Sequence, residues 1–215
     1  MIDREPVNIM GVIAFPNPNK DERVIRFIDS EYHTLFTIKD GESIVITRFD
    51  GEKMVFPCKY IDDCHVCIGN SAYHICEFAE MQERSGNTYV PSAPKISGEI
   101  CTYEIYQIPA TADVDYYFRS YEAAKGKLRS ADYQRSYAGM YAKGNSLEDL
   151  WAKHNRDSRP FAHRMRSMSV SDIVVLTQGG KKTAYYADTI GFKKAPEFLA
   201  QQRAQKKHKE RGEAR

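Results

Sequence analysis

Apolar and polar positions change their period along this chain, and each period predicts a different element. Val7–Phe15 is a short apolar run closed by the turn signal Pro16-Asn17-Pro18-Asn19, and Val24–Asp29 alternates as a half-buried strand does. Ser43–Phe49 and Lys53–Phe56 flank Asp50-Gly51, a dipeptide suited to positive φ. A β-hairpin is expected there, with Cys58 just past its second strand. From Ser71 the period lengthens: Ile75, Phe78, Ala79 and Gln82 recur at helical spacing, Ser71 can cap the helix, and Gly86 follows Ser85 as a stop. Pro91, Pro94 and Gly98 interrupt the stretch Thr88–Gly98 and predict a linker at 91–99.

In the second half Cys101–Ile108 alternates at period two, and Tyr133–Tyr141 is a further aromatic-rich strand. Asn145-Ser146-Leu147-Glu148 reads as a capping box that starts a helix through about His154. Ser169–Gln178 and Thr183–Asp188 form a hairpin around Gly179-Gly180, and Ile173–Leu176 is too continuously apolar for an exposed strand. Pro196 opens a C-terminal helix that becomes polar and basic. The pattern predicts an α+β fold in two small domains. A β-hairpin plus helix domain occupies 1–90, and a mixed strand and helix domain occupies 100–199, followed by a basic tail at 200–215.

Composition narrows this picture. A chain with 42% hydrophobic and 28% charged residues is globular, which excludes disordered and fibrous classes. No apolar run approaches the roughly 20 residues needed to span a bilayer. The N-terminus carries acidic residues where a signal peptide would be basic, so a cytoplasmic protein is expected, without a membrane partner. The net charge of +2 is uneven: residues 200–215 hold six Lys and Arg against two Glu. The remaining body is close to neutral, which suits neither a surface that tracks a phosphate backbone nor a mimic of DNA. Nucleic-acid contact through the basic tail is therefore a secondary expectation.

Chemistry concentrates in Pro57–Cys76, which holds four of the five cysteines and two of the six histidines. Thiolate and imidazole are the ligands tetrahedral zinc selects, and four protein ligands make a closed structural site. The preferred tetrad is Cys58, His65, His74 and Cys76, which draws the loop between hairpin and helix onto a single ion. Cys64 and Cys67, a C-x-x-C pair, form another with His74 and Cys76. A third reading leaves the thiols as small buried apolar groups. Asp62, Asp63 and Glu77 lie close enough in sequence to serve a hydrolytic metal, but the order of ligands is not that of the zinc deaminases. His154 and His163, in an arginine-rich segment with Asp157, combine with Ser169 or Ser171 into a hydrolase constellation on paper. No nucleophile-elbow motif supports it. That segment reads as a solvated loop, Asp172 as a turn residue, and the protein as not an enzyme.

In the second half, TYEIYQI, YAGMYAKGNSLEDLWAKHN, MRSMSVSDIVVL and AYYADTIGF together resemble the YodL-like domain over about residues 101–199. In the first half, FIDSEYHTLFTI, PCKYIDD and YHICEFAE resemble another domain of the large polyvalent proteins of phages and conjugative elements, over about residues 24–90. The second resemblance implies Cys58, His65, His74 and Cys76 as the metal set, with Cys64 and Cys67 as departures. A short pairing of two such domains is similar to inhibitors that phages and plasmids direct at CRISPR nucleases. What the resemblance implies is a host-defence antagonist, an anti-CRISPR protein that binds a Cas9-type nuclease and blocks nucleic-acid loading or conformational activation. The alternative is a nucleic-acid-binding accessory protein of a conjugative element or phage.

Overall fold

The computed structural model describes residues 7–9, 12–14, 23–93 and 100–213, and shows an α+β fold dominated by antiparallel sheet. A small ribbon pairs β1 (Val7–Ile9) with β2 (Val12–Ala14), and a second hairpin pairs β3 (Val24–Ile28) with β4 (Thr34–Lys39). Its turn is shaped by Asp29, whose carboxylate accepts from the backbone of Glu31 and His33 at 2.9 and 2.8 Å. Next come β5 (Ser43–Thr47), β6 (Lys53–Tyr60), β7 (His65–Ile68), β8 (Ser71–His74), α1 (Ile75–Ser85) and β9 (Thr88–Pro91). The five strands form one sheet in the order β8-β7-β6-β5-β9. Alternate side chains point inward: Ile44 and Ile46 of β5, Cys58 of β6, Val66 and Ile68 of β7. They meet Ile25, Phe27, Phe36 and Ile38 of the β3–β4 hairpin and Ile75 and Phe78 of α1.

The second half contributes β10 (Cys101–Gln107), α2 (Tyr121–Ala124), a 3-10 turn at Ser130–Asp132, β11 (Gln134–Met140), α3 (Leu147–Asn155), β12 (Ile173–Gln178), β13 (Lys181–Ala187), β14 (Phe192–Lys194) and α4 (Pro196–Glu213). Its sheet runs β11-β10-β12-β13-β14, antiparallel throughout. Tyr103, Ile105, Tyr137 and Val174 pack under Leu150 of α3, Phe161 and Met165 on one face. Ile173, Val175, Ala184 and Tyr186 pack under Leu128, Tyr133 and Phe198 of α4 on the other. Burial on both faces explains the unbroken apolar run at 173–175.

The halves meet along β11 and α3. Met140 and Ala142 belong to the core of the first sheet, and Phe49 packs on Phe161 at 5.1 Å between ring centres. Arg135 lies over the Phe49 ring at 5.2 Å and donates to the Phe49 carbonyl, while Lys153 of α3 pairs with Glu83 of α1. The boundary expected at 91–99 thus runs between sheets whose cores touch.

Several boundaries differ from the sequence pattern. Ser71–His74 pairs with His65–Ile68, so the backbone groups a helix start would use are taken by a ladder, and α1 begins at Ile75 with His74 as its cap. Cys58 lies inside β6, not beyond it. Thr88–Pro91 leaves the linker stretch to pair with β5. The cap of α3 is Ser146 rather than Asn145, with Ser146 Oγ accepting from Asp149 N at 3.1 Å and Asp149 accepting in return from Ser146 N at 2.7 Å. The turn expected at 16–19 and most of the linker lie outside the described residues. No helix among the described residues is long and apolar enough to cross a membrane.

Candidate functional site

The β7–β8 hairpin decides which of the expected ligands meet. His65 and His74 are cross-strand partners on one face, with ring centres 5.3 Å apart and planes nearly perpendicular. Asp62 holds His65 Nδ1 at 2.9 and 3.0 Å and accepts from the backbone N–H of Cys64 and His65 at 2.8 Å each, which leaves Nε2 as the nitrogen that Asp62 does not engage. His74 Nδ1 accepts from Cys76 N at 3.2 Å. Ile75 N donates to the Cys64 carbonyl at 2.8 Å and ties the base of the hairpin to the start of α1. Cys64, His65, His74 and Cys76 therefore gather at one end. Burial pushes the Cys64 thiol up, reinforced by Asp62 and Asp63. Burial also raises Cys76; a hydrogen bond with Tyr32 opposes it, and the charge of Cys64 adds to it.

Cys58 stands apart from this group. It pairs with Ile68 on the inner face of the sheet and is fully buried, its thiol pushed up to about 11 chiefly by that burial. Ile68 is three residues from His65 along β7, roughly 10 Å at the rise of a strand, and alternation turns the two side chains to opposite faces. Cys67 shares the face of His65 and His74 but lies two residues from His65, with its sulfur 3.5 Å from the Gly69 carbonyl. In the conformations described, no three His, Cys, Asp or Glu groups form a metal-holding cluster among the described residues.

The hydrolase groups are not assembled. His154 is fully buried and bonded through Nε2 to Tyr103 Oη at 2.8 Å, and burial first, then Lys153, Arg156 and Arg159, bring it down to about 3. His163 is exposed against the edge of Phe161. Asp172 is no open turn residue: it is buried, gripped by both Arg166 guanidinium nitrogens, and accepts from Gln107 Nε2 and Ser169 N at 2.9 Å each. Ser171 Oγ accepts from Phe118 N at 3.2 Å. The arginine-rich segment read as a solvated loop thus supplies His154, Phe161 and Met165 to the core and Arg166 as counterion to Asp172.

The strands and covering helices around these groups form one continuous unit. Residues 102–198 match the YodL-like domain family. The matched span begins within β10 and closes at Phe198, the residue that anchors α4. No curated protein and no solved structure matches the chain.

Two surface features remain, and the first went unread in the sequence. Phe118 is 54% exposed with a left-handed backbone, φ 58°, stacked on Tyr117 at 3.9 Å, with the Arg166 guanidinium 5.7 and 5.8 Å from the two rings. An apolar residue flanked by tyrosine and arginine carries no periodic signal that would mark it. The second feature is α4, held by Phe198 and by Gln201, which accepts from Ser130 N and donates to the Leu128 carbonyl. From Arg203 to His208 the helix is exposed at every position.

Proposed function

We propose that this chain is a mobile-element protein that antagonises host defence by binding, an anti-CRISPR protein that docks on a Cas9-type nuclease and blocks nucleic-acid loading or conformational activation. The observation that carries the binding role is Phe118. A bulky residue held in the left-handed region costs on the order of 1–3 kcal/mol and persists only where its surroundings over-determine it. Here Ser171 Oγ fixes the Phe118 N–H, and Tyr186 donates to the Arg119 carbonyl at 2.7 Å. The result is a rigid aromatic anchor beside an arginine, the composition of interface hot spots. Because Asp172 already compensates Arg166, the patch suits an apolar and stacking contact with protein better than a phosphate. The choice of target follows from the resemblance of both halves to domains of mobile-element proteins. A structural zinc would secure the first sheet without taking part in turnover.

Cleavage by a purified Cas9-type nuclease, titrated with this protein, tests the reading. Inhibition that saturates near one equivalent supports it. Unchanged cleavage with no complex on a sizing column overturns it.

One observation favours the accessory-protein alternative: the exposed basic segment Arg203–His208. Truncation after Gln202 removes that segment and keeps Gln201 in place. Loss of salt-sensitive DNA binding would favour the alternative, since phosphate contacts release counterions. Retained nuclease inhibition would favour the antagonist.

A further inference from the structure

We propose a structural zinc site built from Cys64, His65, His74 and Cys76 at the base of the β7–β8 hairpin, with Cys58 a core thiol that takes no part; no three of these groups form a metal-holding cluster in the conformation described, so their side chains would draw together on the ion as it binds. This deepens the zinc component of the reading above and is independent of the nuclease target. Two thiols and two imidazoles are a donor set that zinc selects, and all four residues lie where β7 begins and β8 hands over to α1. Asp62 stands to His65 as carboxylates stand to metal-bound histidines, engaging Nδ1 and orienting the ring so that Nε2 is the nitrogen to coordinate. His74 directs the Nδ1 lone pair toward the N–H of Cys76 at the first turn of α1, so a metal would take over that lone pair beside the Cys76 thiol. The Cys64 carbonyl, bonded to Ile75 N, keeps the two chain segments in register.

The alternatives meet physical obstacles. Cys58 faces the opposite side of the sheet, so its entry into the set would require turning β6 over. Cys67 lies two positions farther along the outer face and is engaged with the Gly69 carbonyl. When bound, the ion would cross-link the hairpin base to α1, which is how a closed tetrahedral site contributes to folding.

Metal content of the full chain, purified from zinc-supplemented medium and measured by elemental analysis, tests the assignment. The wild type should carry one zinc per chain. Cys58→Val and Cys67→Ala should retain it, while Cys64→Ser and Cys76→Ser should lose it. Replacement by Co2+ should give tetrahedral d–d bands and a sulfur-to-metal charge-transfer band of two-thiolate intensity, a readout that does not depend on activity. Asp62→Asn should weaken zinc about 10- to 100-fold in chelator competition. Zinc lost from Cys58→Val or Cys67→Ala while circular dichroism stays native, or retained in Cys64→Ser, overturns this ligand set but leaves a zinc site standing. A folded wild type that carries no zinc and gives no Co2+ spectrum overturns both the set and the zinc.

Discussion

Replacing His154 with Gln should convert an acid-sensitive fold into a less sensitive one. His154 is fully buried, and its ring meets Tyr103 and Tyr137 edge-on at 5.7 and 4.6 Å. Tyr103 holds Nε2, while Nδ1 has no hydrogen-bond partner, so a second proton would enter an apolar pocket near three cations. Burial brings the group from 6.5 down to about 3. A base whose folded pKa is depressed leaves stability untouched above its unfolded value; below it, the unfolded chain takes the proton first. From pH 6.5 the wild type should therefore lose about 1.4 kcal/mol per pH unit on account of this residue, so roughly 2–3 kcal/mol by pH 4.5. Gln at this position cannot titrate. Urea unfolding of both proteins at pH 7.5 and 4.5 removes the contributions that other groups make to each. The variant should be the less stable at pH 7.5, by an amount that shrinks or reverses by about 2–3 kcal/mol at pH 4.5. A stability difference that is the same at both pH values refutes the argument.

Asp172→Asn leaves Arg166 without its counterion. Because the Arg166 side chain is 30% exposed and can turn to water, the cost should be about 2–3 kcal/mol, below that of a fully enclosed pair, read as a lowered urea midpoint with unchanged slope. Gly86 caps α1 at φ 65°, and an added Cβ would stand 3.1 Å from the Phe49 ring. Gly86→Ala should cost about 1–2 kcal/mol and lower the melting temperature by several degrees. Truncation after Leu199 should cost more stability than truncation after Gln202, because only the first removes the Gln201 bonds to Ser130 and Leu128; equal melting temperatures would show that α4 is not held there.

Period-two alternation located most of the second sheet and the β5–β6 hairpin, because each of those strands has an inner face that is apolar at every second position. The β7–β8 hairpin escaped the same test. Its outer face carries His65 and Cys67, which read as loop residues, and His74, which fell within the helix that Ser71 was expected to cap. Only pairing with β6, a non-local contact, makes it sheet. The same reason divides the candidate site. Spacing marked the segment richest in candidate ligands but could not say which thiols share a face, and the register places Cys58 inward and away from His65. Asp172 was read as a turn residue because its partners, Arg166, Gln107 and Ser169, converge through tertiary packing from a segment with no period. Phe118 was silent for a simpler reason: a strained exposed aromatic is defined by backbone dihedral and exposure, neither of which composition records.

The proposed activity is docking on a Cas9-type nuclease through an anchor at Phe118. Titration calorimetry of the purified nuclease with wild type and Phe118→Ala addresses it directly, with circular dichroism to confirm that the variant keeps its fold. The account predicts a saturable complex for the wild type and binding weakened about 30-fold or more by the variant, the loss expected for an aromatic hot spot. A wild type that gives no complex, or a variant that binds as tightly as the wild type, would contradict it.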